Sequence, residues 1–287
     1  MNFKEIKNKG ILLFDGAMGT MIKRYGLNIN NNPEIYNFTE EDTIKKIHKE
    51  YIKAGSNVIT TNTFGANDIR LKNSKYSIEK IIRKGIMIAK EVKGDNEDIL
   101  IAYDMGPTGV GVNATGKLTF DEAYEIFKKQ VIIASKGGVD LILIETILSL
   151  DECKAAVKAV KDYSNLPVFC TFTLDNDCKL FDGNTIEKAI EDMNKLEVDA
   201  VGINCSPGIN GIHKIVKKIN TLTTKNIIIQ PNTRCYMNNL KEFIEISENE
   251  FSKEILKCIE EGAKIVGGCC GTTPEYIRRI KEELSKV

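Results

Sequence analysis

The sequence lacks the long apolar segments and the net charge that would direct a protein to a membrane or to a polyanion. No stretch approaches the ~18 consecutive apolar residues of a membrane-spanning helix, and residues 1–7 are charged without the following apolar stretch of a signal peptide. The 40 Lys and Arg residues balance the 40 Asp and Glu residues, so no excess charge favours nucleic acid or an anionic membrane. We therefore expect a cytoplasmic protein without nucleic-acid or membrane partners.

Cysteine and histidine are scarce as well. Eight cysteines among 287 residues are few for a disulfide-stabilised scaffold, and in a reducing compartment they indicate metal binding, catalysis or packing. The two histidines, His48 and His213, fall within predicted helices, so we expect ordinary packing or surface roles for them. No stretch rich in Pro, Gly or Ser divides the chain, which predicts a single domain over residues 1–287.

Short apolar segments recur along the chain, and a longer amphipathic segment follows each one. The short segments are continuous rather than alternating, which is typical of parallel strands covered on both faces. They span residues 11–15, 57–63, 99–105, 140–146, 167–173, 199–205, 226–232 and 263–270. The predicted helices span residues 40–54, 78–92, 120–136, 150–161, 186–196, 212–222, 250–261 and 274–284. This repeat predicts an α/β fold, a single (β/α)8 TIM barrel, with a doubly wound open sheet as the alternative.

Local signals mark several helix starts. Pro274 follows Thr273 at the last of them, and Pro is favoured at the first helical position. Three further helices begin with Ser or Thr three residues before Glu, the pattern of a capping box. The pairs are Thr119 with Glu122, Ser149 with Glu152 and Ser247 with Glu250. Residues 243–246 could form a short extra strand after the seventh strand.

Acidic and thiol groups concentrate at the carboxyl ends of the predicted strands. Asp15 ends the first strand and Glu145 the fourth, while Cys205 ends the sixth and the pair Cys269–Cys270 the eighth. In a barrel these ends meet on the face where barrel enzymes build their active sites. The starts of the strands show no such bias, and the asymmetry predicts an enzyme.

The thiols at these strand ends suggest a metal site. Strands six and eight flank strand seven in a barrel, so Cys205, Cys269 and Cys270 come within reach of one ion. Glycines around the Cys269–Cys270 pair give backbone freedom that could turn both sulfurs toward that ion. Three thiolates leave one tetrahedral position of Zn²⁺ open, as in a catalytic zinc site. The spacing is not that of a zinc finger, so buried packing cysteines and a vicinal redox pair remain open alternatives.

The other cysteines and the two acids have less specific interpretations. We expect Cys153, Cys170 and Cys258 to pack in the core, and Cys178 and Cys235 to lie in loops. Asp15 and Glu145 could bind an ammonium group or act as general bases, although for Asp15 alone helix capping is the favoured interpretation. Both acids together with a thiol cluster favour an amino-acid site.

Six short motifs are distributed along the chain from residue 15 to residue 274. They are Asp15-Gly16-Ala17-Met18-Gly19-Thr20, Thr61-Asn62-Thr63-Phe64, Gly106-Pro107-Thr108, Glu145-Thr146, Gly202-Ile203-Asn204-Cys205 and Gly267-Gly268-Cys269-Cys270-Gly271-Thr272-Thr273-Pro274. In this order they resemble the homocysteine S-methyltransferase family, most closely the homocysteine-binding barrel of cobalamin-dependent methionine synthase. The resemblance implies a zinc-dependent enzyme of methionine biosynthesis that transfers a methyl group to the thiol of L-homocysteine and releases L-methionine.

The resemblance also implies roles for individual residues. Cys205, Cys269 and Cys270 match the three zinc ligands of the family, which are also its catalytic residues. The matching substrate-binding positions are Asp15 and Glu145 for the ammonium group, the backbone amides of Gly16 and Ala17 for the carboxylate, and Thr63 and Asn232 as further contacts. Asn232 stands in a Pro-Asn motif that the family places close to the metal. We expect its side-chain oxygen, or a water it positions, to occupy the fourth zinc position before substrate binds.

The sequence departs from the family at the end of the seventh strand. Thr233 and Arg234 follow Asn232 where the family usually has Ala-Gly, and Gln230 replaces a frequent acid. The methyl donor is not identified; a corrinoid carried by a separate domain or protein is favoured over methyltetrahydrofolate, S-methylmethionine, S-adenosylmethionine or a betaine. A non-catalytic homocysteine or zinc sensor, and a subunit or fragment of a multi-component methionine synthase, are the alternatives.

Overall fold

Eight parallel strands close into a barrel in a computed structural model that describes residues 10–30, 32–113, 116–206, 208–236 and 243–286. The barrel strands are β1 (Leu12–Leu13), β2 (Val58–Thr60), β3 (Leu100–Met105), β4 (Leu141–Ile147), β5 (Val168–Phe172), β6 (Ala200–Asn204), β7 (Asn226–Gln230) and β10 (Ala263–Val266). Their order is β1-β10-β7-β6-β5-β4-β3-β2, so β7 lies between β6 and β10 as predicted.

Hydrogen bonds between β1 and β2 close the ring. Asn57 N donates to Leu13 O at 2.7 Å, and Asp15 N donates to Val58 O at 3.0 Å. Phe14 and Val58 form a parallel bridge. The predicted (β/α)8 barrel is therefore confirmed, and the doubly wound open sheet is wrong. A short antiparallel hairpin follows β7 and consists of β8 (Arg234–Tyr236) and β9 (Phe243–Glu245).

Helices cover the outside of the barrel and agree with the predicted segments to within a few residues at their ends. They are α1 (Met18–Arg24), α2 (Tyr36–Thr39), α3 (Glu41–Ala54), α4 (Ile78–Lys93), α5 (Phe120–Gly137), α6 (Leu150–Tyr163), α7 (Ile186–Lys195), α8 (Ile212–Leu222), α9 (Glu248–Glu260) and α10 (Pro274–Leu284). The short helices α1 and α2 were not expected from the sequence. No described helix is long and apolar enough to cross a membrane.

Two of the three predicted capping boxes form. Thr119 and Ser247 each accept a hydrogen bond from the backbone of the Glu three residues on. Ser149 makes no such bond, so this part of the prediction is wrong. Its partner Glu152 instead accepts hydrogen bonds from Thr108 N at 2.8 Å and Thr108 Oγ1 at 2.6 Å. The Glu152 carboxylate therefore binds the buried backbone amide of Thr108 in another loop and not the start of its own helix, where the local pattern predicted it.

The interior of the barrel changes from apolar to polar along the strands. Toward the amino ends it is filled by Leu12, Phe14, Val58, Leu100, Ala102, Leu141, Leu143, Phe169, Ala200, Ile228 and Ile265. Alternate residues of a strand share a face, so the next inward positions are Thr60, Asp104, Glu145, Thr171, Gly202, Gln230 and Gly267. This polar layer is the floor of a site at the carboxyl-end rim.

His48 packs inside the protein on helix α3, in agreement with its predicted packing role. It is fully buried, and neither ring nitrogen has a hydrogen-bond partner among the described residues. Burial lowers the pKa of His48 from 6.5 to about 4. Between these two values the unfolded chain binds a proton that the folded protein does not, so stability falls as the pH falls through this window.

Replacing His48 by Leu should remove part of the acid sensitivity of the fold. From the two pKa values, the histidine costs the wild type about 2 kcal/mol of unfolding free energy between pH 7 and pH 5. Urea unfolding of wild type and His48→Leu at both pH values measures the difference. Equal losses in the two proteins would show that the histidine is not held neutral in the fold.

Candidate metal and substrate site

Three free thiols gather at the carboxyl ends of β6 and β10. The sulfurs of Cys205, Cys269 and Cys270 all lie within 4.8 Å of one another, and Cys205 Sγ is 3.4 Å from Cys270 Sγ. Within the described ranges, no other group of His, Cys, Asp and Glu side chains has a metal-binding arrangement. The structure thus brings together the three residues that the sequence singled out as ligands.

Backbone geometry explains how neighbouring cysteines share one site. Cys205 has a positive φ of 48°, which turns its side chain away from the direction that β6 would give it. Gly271 has a φ of +90°, and a Cβ there would lie 1.9 Å from Thr233 Oγ1. A Cβ on Gly268 would lie 2.4 Å from Thr272. Gly271 is therefore required for its conformation and Gly268 for close packing.

The thiol group is chemically suited to a divalent cation. Hydrogen bonds from Cys205 and Cys269 lower the pKa of Cys270, because its thiolate is held by two neighbouring S–H groups. Hydrogen bonds of Cys269 to Cys205 and Cys270 raise the pKa of the Cys269 thiol, because they hold its proton. Three adjacent thiolates repel one another, so the group loses all its protons only if a cation compensates the charge. Thiolate sulfur is a preferred ligand of Zn²⁺.

Asn232 adds an oxygen beside the thiols on the neighbouring strand. Its Nδ2 donates to Ser206 O at 3.3 Å, which orients the side chain. Its Oδ1 is buried and has no hydrogen-bond partner among the described residues. Because unpaired buried carbonyl oxygens are rare, this atom is the candidate fourth donor of the metal site.

Buried acids stand on the same rim. The Asp15 carboxylate accepts a hydrogen bond from Thr60 N at 2.8 Å and lies 3.2 Å from Thr60 Oγ1. Burial raises the pKa of Asp15 to about 8 despite these bonds. Burial and the charge of Cys270 raise the pKa of Glu145 to about 7. Burial, and then the charge of Glu145, raises the pKa of Asp104 well above its usual range.

Among the described residues, no Lys or Arg forms an ion pair with Asp15, Asp104 or Glu145, and burial is the main cause of their raised pKa values. Asp104 Oδ1 also has no hydrogen-bond partner in the described part of the chain. A ligand with an ammonium group would supply both the missing charge and the missing donors.

Asn204 connects the thiols with the acids. Its Nδ2 lies 3.9 Å from Cys269 Sγ and 3.5 Å from Glu145 Oε2. The same side chain is fixed by Thr146, which donates its N–H to Asn204 Oδ1 at 3.0 Å and accepts from Nδ2 at 2.8 Å on Oγ1. Thr146 has a φ of +60°, which is strained for a β-branched residue. The two halves of the site are therefore one amide side chain apart.

Two predicted substrate contacts are engaged within the protein. Thr63 is fully buried, and its Oγ1 donates to Asp104 O at 2.8 Å. Its methyl group would lie 2.8 Å from a Cβ on Gly85 of helix α4, so Thr63 faces the helix layer, and its contact with substrate stays a prediction. The Ala17 amide is also engaged, because Ala17 N donates to Thr272 Oγ1 at 3.1 Å.

The remaining cysteines and the second histidine behave as expected where the structure describes them. Cys153, Cys170 and Cys258 are buried, and Cys178 is exposed. The side chain of Cys235 lies outside the described part of the structure. His213 Nδ1 lies 3.2 Å from Glu254 Oε2 on the neighbouring helix α9.

With this geometry in view, we compared the chain with known proteins. The sequence model of the homocysteine S-methyltransferase family matches residues 12–284. The chain belongs to this family. It is 26% identical over 303 aligned positions to the methionine synthase of Mycobacterium tuberculosis, an alignment that covers 99% of this chain and 25% of that protein. The chain thus spans about a quarter of the length of this curated relative.

Solved structures support the same fold. The metallated form of the homocysteine methyltransferase MmuM from Escherichia coli superimposes with a TM-score of 0.85 at 21% identity, covering 98% of this chain and 99% of that one. Its oxidised form gives a TM-score of 0.83 at 21% identity, covering 95% and 96%. At this level of identity the likeness shows the (β/α)8 architecture.

In this member of the homocysteine S-methyltransferase family, the structure places three further side chains at the candidate site that the sequence did not single out. Asp104, Thr60 and Asn204 stand at or next to strand ends, but nothing local distinguishes them from ordinary polar residues. For two of them, the alternation of inward- and outward-facing residues along a strand was a usable signal. Thr60 and Asp104 stand two positions after the inward-facing Val58 and Ala102.

Proposed function

We propose that the protein catalyses zinc-dependent transfer of a methyl group to the thiol of L-homocysteine, giving L-methionine. The observation that supports this most directly is the position of Asn204, within 3.9 Å of Cys269 Sγ and 3.5 Å of Glu145 Oε2. A metal-binding thiol group and a cluster of buried acids are therefore close enough to bind the two ends of one small amino-acid thiol.

The three cysteines would hold the zinc ion. When bound there, Zn²⁺ stabilises a substrate thiol as its thiolate at neutral pH, where a free thiol with a pKa near ~8.5 remains mostly protonated. Free thiols at such a site suit a reducing compartment such as the cytoplasm. The nucleophile belongs to the substrate, so the chain needs only to hold and orient it.

The acids would hold the amino-acid end. Glu145, with Asp15 and Asp104 beside it, would accept hydrogen bonds from the ammonium group. The positive charge of that group would lower the raised pKa values of the three acids toward their ordinary range. The backbone amide of Gly16 would hold the substrate carboxylate, whereas the Ala17 N–H already donates to Thr272 Oγ1. Fixing this end leaves the sulfur as the part of the substrate that reaches the thiol group.

A donor panel tests the proposal. The zinc-loaded protein would be incubated with L-homocysteine and, separately, methylcobalamin, methyltetrahydrofolate, S-methylmethionine, S-adenosylmethionine and a betaine, and methionine would be measured by mass spectrometry. We expect methionine from at least one donor, with a corrinoid carried by a separate domain or protein as the favoured source. Homocysteine binding without methionine from any donor would indicate a sensor instead.

The fourth zinc position before substrate binds gives a separate prediction. Asn232 Oδ1 is buried without a partner among the described residues, and a neutral oxygen is a weak ligand that a thiolate displaces readily. Zinc-edge X-ray absorption should count three sulfurs and one oxygen, from Asn232 or a water it positions. Addition of homocysteine should change this to four sulfurs with release of a proton.

The same measurement can contradict the assignment. Four sulfurs in the absence of substrate would implicate a further cysteine, such as Cys235. An Asn232→Ala variant serves as the control, because it removes the side-chain oxygen and keeps the three thiols.

A further inference from the structure

Arg234 stands beside the three-thiol group. It is the first residue of β8, and the preceding residue, Thr233, donates its backbone N–H to Cys270 O at 3.0 Å. Gly271 packs so closely on Thr233 that a Cβ there would lie 1.9 Å from the hydroxyl oxygen. These contacts hold the start of the hairpin against the loop that carries Cys269 and Cys270. Consistent with this position, the Arg234 charge adds to the hydrogen bonds from neighbouring thiols that lower the pKa of Cys270.

The charge of Arg234 is not neutralised by the residues that the structure describes. Its side chain is exposed and forms no ion pair or hydrogen bond within that part of the chain. Glu245 lies opposite Arg234 in the hairpin, but its carboxylate accepts a hydrogen bond from Thr233 Oγ1 at 3.2 Å instead. Three other arginines form ion pairs: Arg24 with Glu275, Arg83 with Glu79 and Arg279 with Glu282.

An exposed guanidinium that follows directly on the residue hydrogen-bonded to Cys270 O would act on whatever brings the methyl group to the thiols. In the transfer, a sulfur lone pair forms the new S–CH₃ bond while the bond between the methyl group and the donor breaks, and its electron pair stays on the donor. Sulfonium and quaternary ammonium donors carry a positive charge on the atom that holds the methyl group. Folate and corrinoid donors carry carboxylate or phosphate groups elsewhere in the molecule.

We propose that Arg234 selects the charge class of the methyl donor, disfavouring cationic donors and favouring neutral or anionic ones. This inference rests on the proposed methyl transfer. At an effective dielectric constant of about 30, two unit charges ~8 Å apart interact strongly enough to change a rate by about tenfold. Glu145 near Cys270 carries a negative charge that would oppose the effect of Arg234. It lies, however, at the end of the site that would bind the ammonium group of the substrate.

The local charge can be measured without methyl transfer. Iodoacetate and iodoacetamide both alkylate a thiolate with loss of iodide, but only iodoacetate is an anion. The rate of alkylation of Cys270 by iodoacetate, divided by the rate with iodoacetamide, is measured in zinc-free protein by peptide mass spectrometry. Both reagents react with the same thiolate, so the ionised fraction of Cys270 cancels and the ratio reports the local electrostatic potential. Arg234→Gln should lower the ratio by about three- to tenfold, and Arg234→Lys should retain it. The ratio at exposed Cys178 should stay constant in both variants.

The donor panel then tests selectivity. In zinc-loaded protein with homocysteine, Arg234→Gln should raise methionine formation from S-methylmethionine relative to methyltetrahydrofolate or methylcobalamin by about tenfold, and Arg234→Lys should not. Arg83→Gln, which removes a remote surface charge, is the matched control. An unchanged alkylation ratio together with an unchanged donor preference in Arg234→Gln overturns the inference while methyl transfer stands. Absence of methionine from every donor in the wild type overturns the proposed function, and with it the selection of donors.

Discussion

Cys269→Ser should lose both its bound zinc and its methyl transfer while the barrel remains folded. A serine hydroxyl does not ionise at neutral pH, so the site would keep two thiolates and lose the charge that holds the metal. Even loss of an outer-shell partner of a metal ligand costs about 10–100-fold in affinity or activity, and loss of a ligand should cost more. The thiols lie on the rim, outside the two buried apolar clusters, so the fold should tolerate the change.

The same result is expected for Cys205→Ser and Cys270→Ser. Metal content would be measured after dialysis against buffer without zinc, and thermal unfolding of the zinc-free proteins would report the fold. Cys178→Ser is the matched control, because it changes an exposed cysteine away from the group. Full zinc occupancy in any one of the three rim variants would remove that residue from the ligand set.

The barrel could be predicted because its signals are local. Continuous apolar strands alternate with amphipathic helices, and this periodicity does not depend on contacts between distant residues. Strand order then places the ends of β6 and β10 on either side of β7, which is why Cys205 could be associated with Cys269 and Cys270 before the structure was known.

Thr63, Ala17 and Glu152 make contacts that no local sequence pattern predicts. Strand β2 ends at Thr60, and a turn with Thr63 N bonded to Thr61 O at 2.9 Å follows, so strand alternation cannot place Thr63 on the inner face. The Ala17 amide is bound by Thr272, a residue 255 positions away in the chain. Glu152 likewise leaves its predicted cap for a buried loop amide. For Ala17 and Glu152 a distant contact outweighs the local signal, whereas for Thr63 a local turn ends the strand alternation.

Asp104 was missed for a related reason. Its position at the end of β3 is shared by many structural acids. Pairing of β3 with β4 brings it close to Glu145, and closure of the barrel between β1 and β2 brings Asp15 to the same site. Burial raises the pKa values of all three acids, and the charge of Glu145 adds to this effect at Asp15 and Asp104. These shifts arise from the assembled site. The uncompensated negative charge of the acids is therefore apparent only from the three-dimensional structure.

Glu145→Gln should weaken L-homocysteine binding by about ten- to a hundredfold, the effect of losing one charge-assisted hydrogen bond at a buried site. Zinc should stay bound, because the amide replaces an acid outside the thiol group. Isothermal titration calorimetry on the zinc-loaded variant measures the affinity, and metal analysis of the same sample measures the zinc. Asp104→Asn should weaken binding in the same direction if its carboxyl also faces the ammonium group.

A thiol without an ammonium group separates substrate recognition from metal binding in these variants. 4-Mercaptobutanoate keeps the thiol and the carboxylate of homocysteine, so Glu145→Gln should bind it about as well as the wild type does. Glu125→Gln, which changes an exposed acid on helix α5, is the control for loss of charge alone. Unchanged homocysteine affinity in Glu145→Gln would mean that this carboxyl only supports Asn204 and the strand end. Equal losses for both thiols would place the defect at the metal or at the carboxylate contact, because the sulfur and the carboxylate are the groups common to the two ligands. A selective loss for homocysteine is the result that assigns Glu145 to the ammonium group.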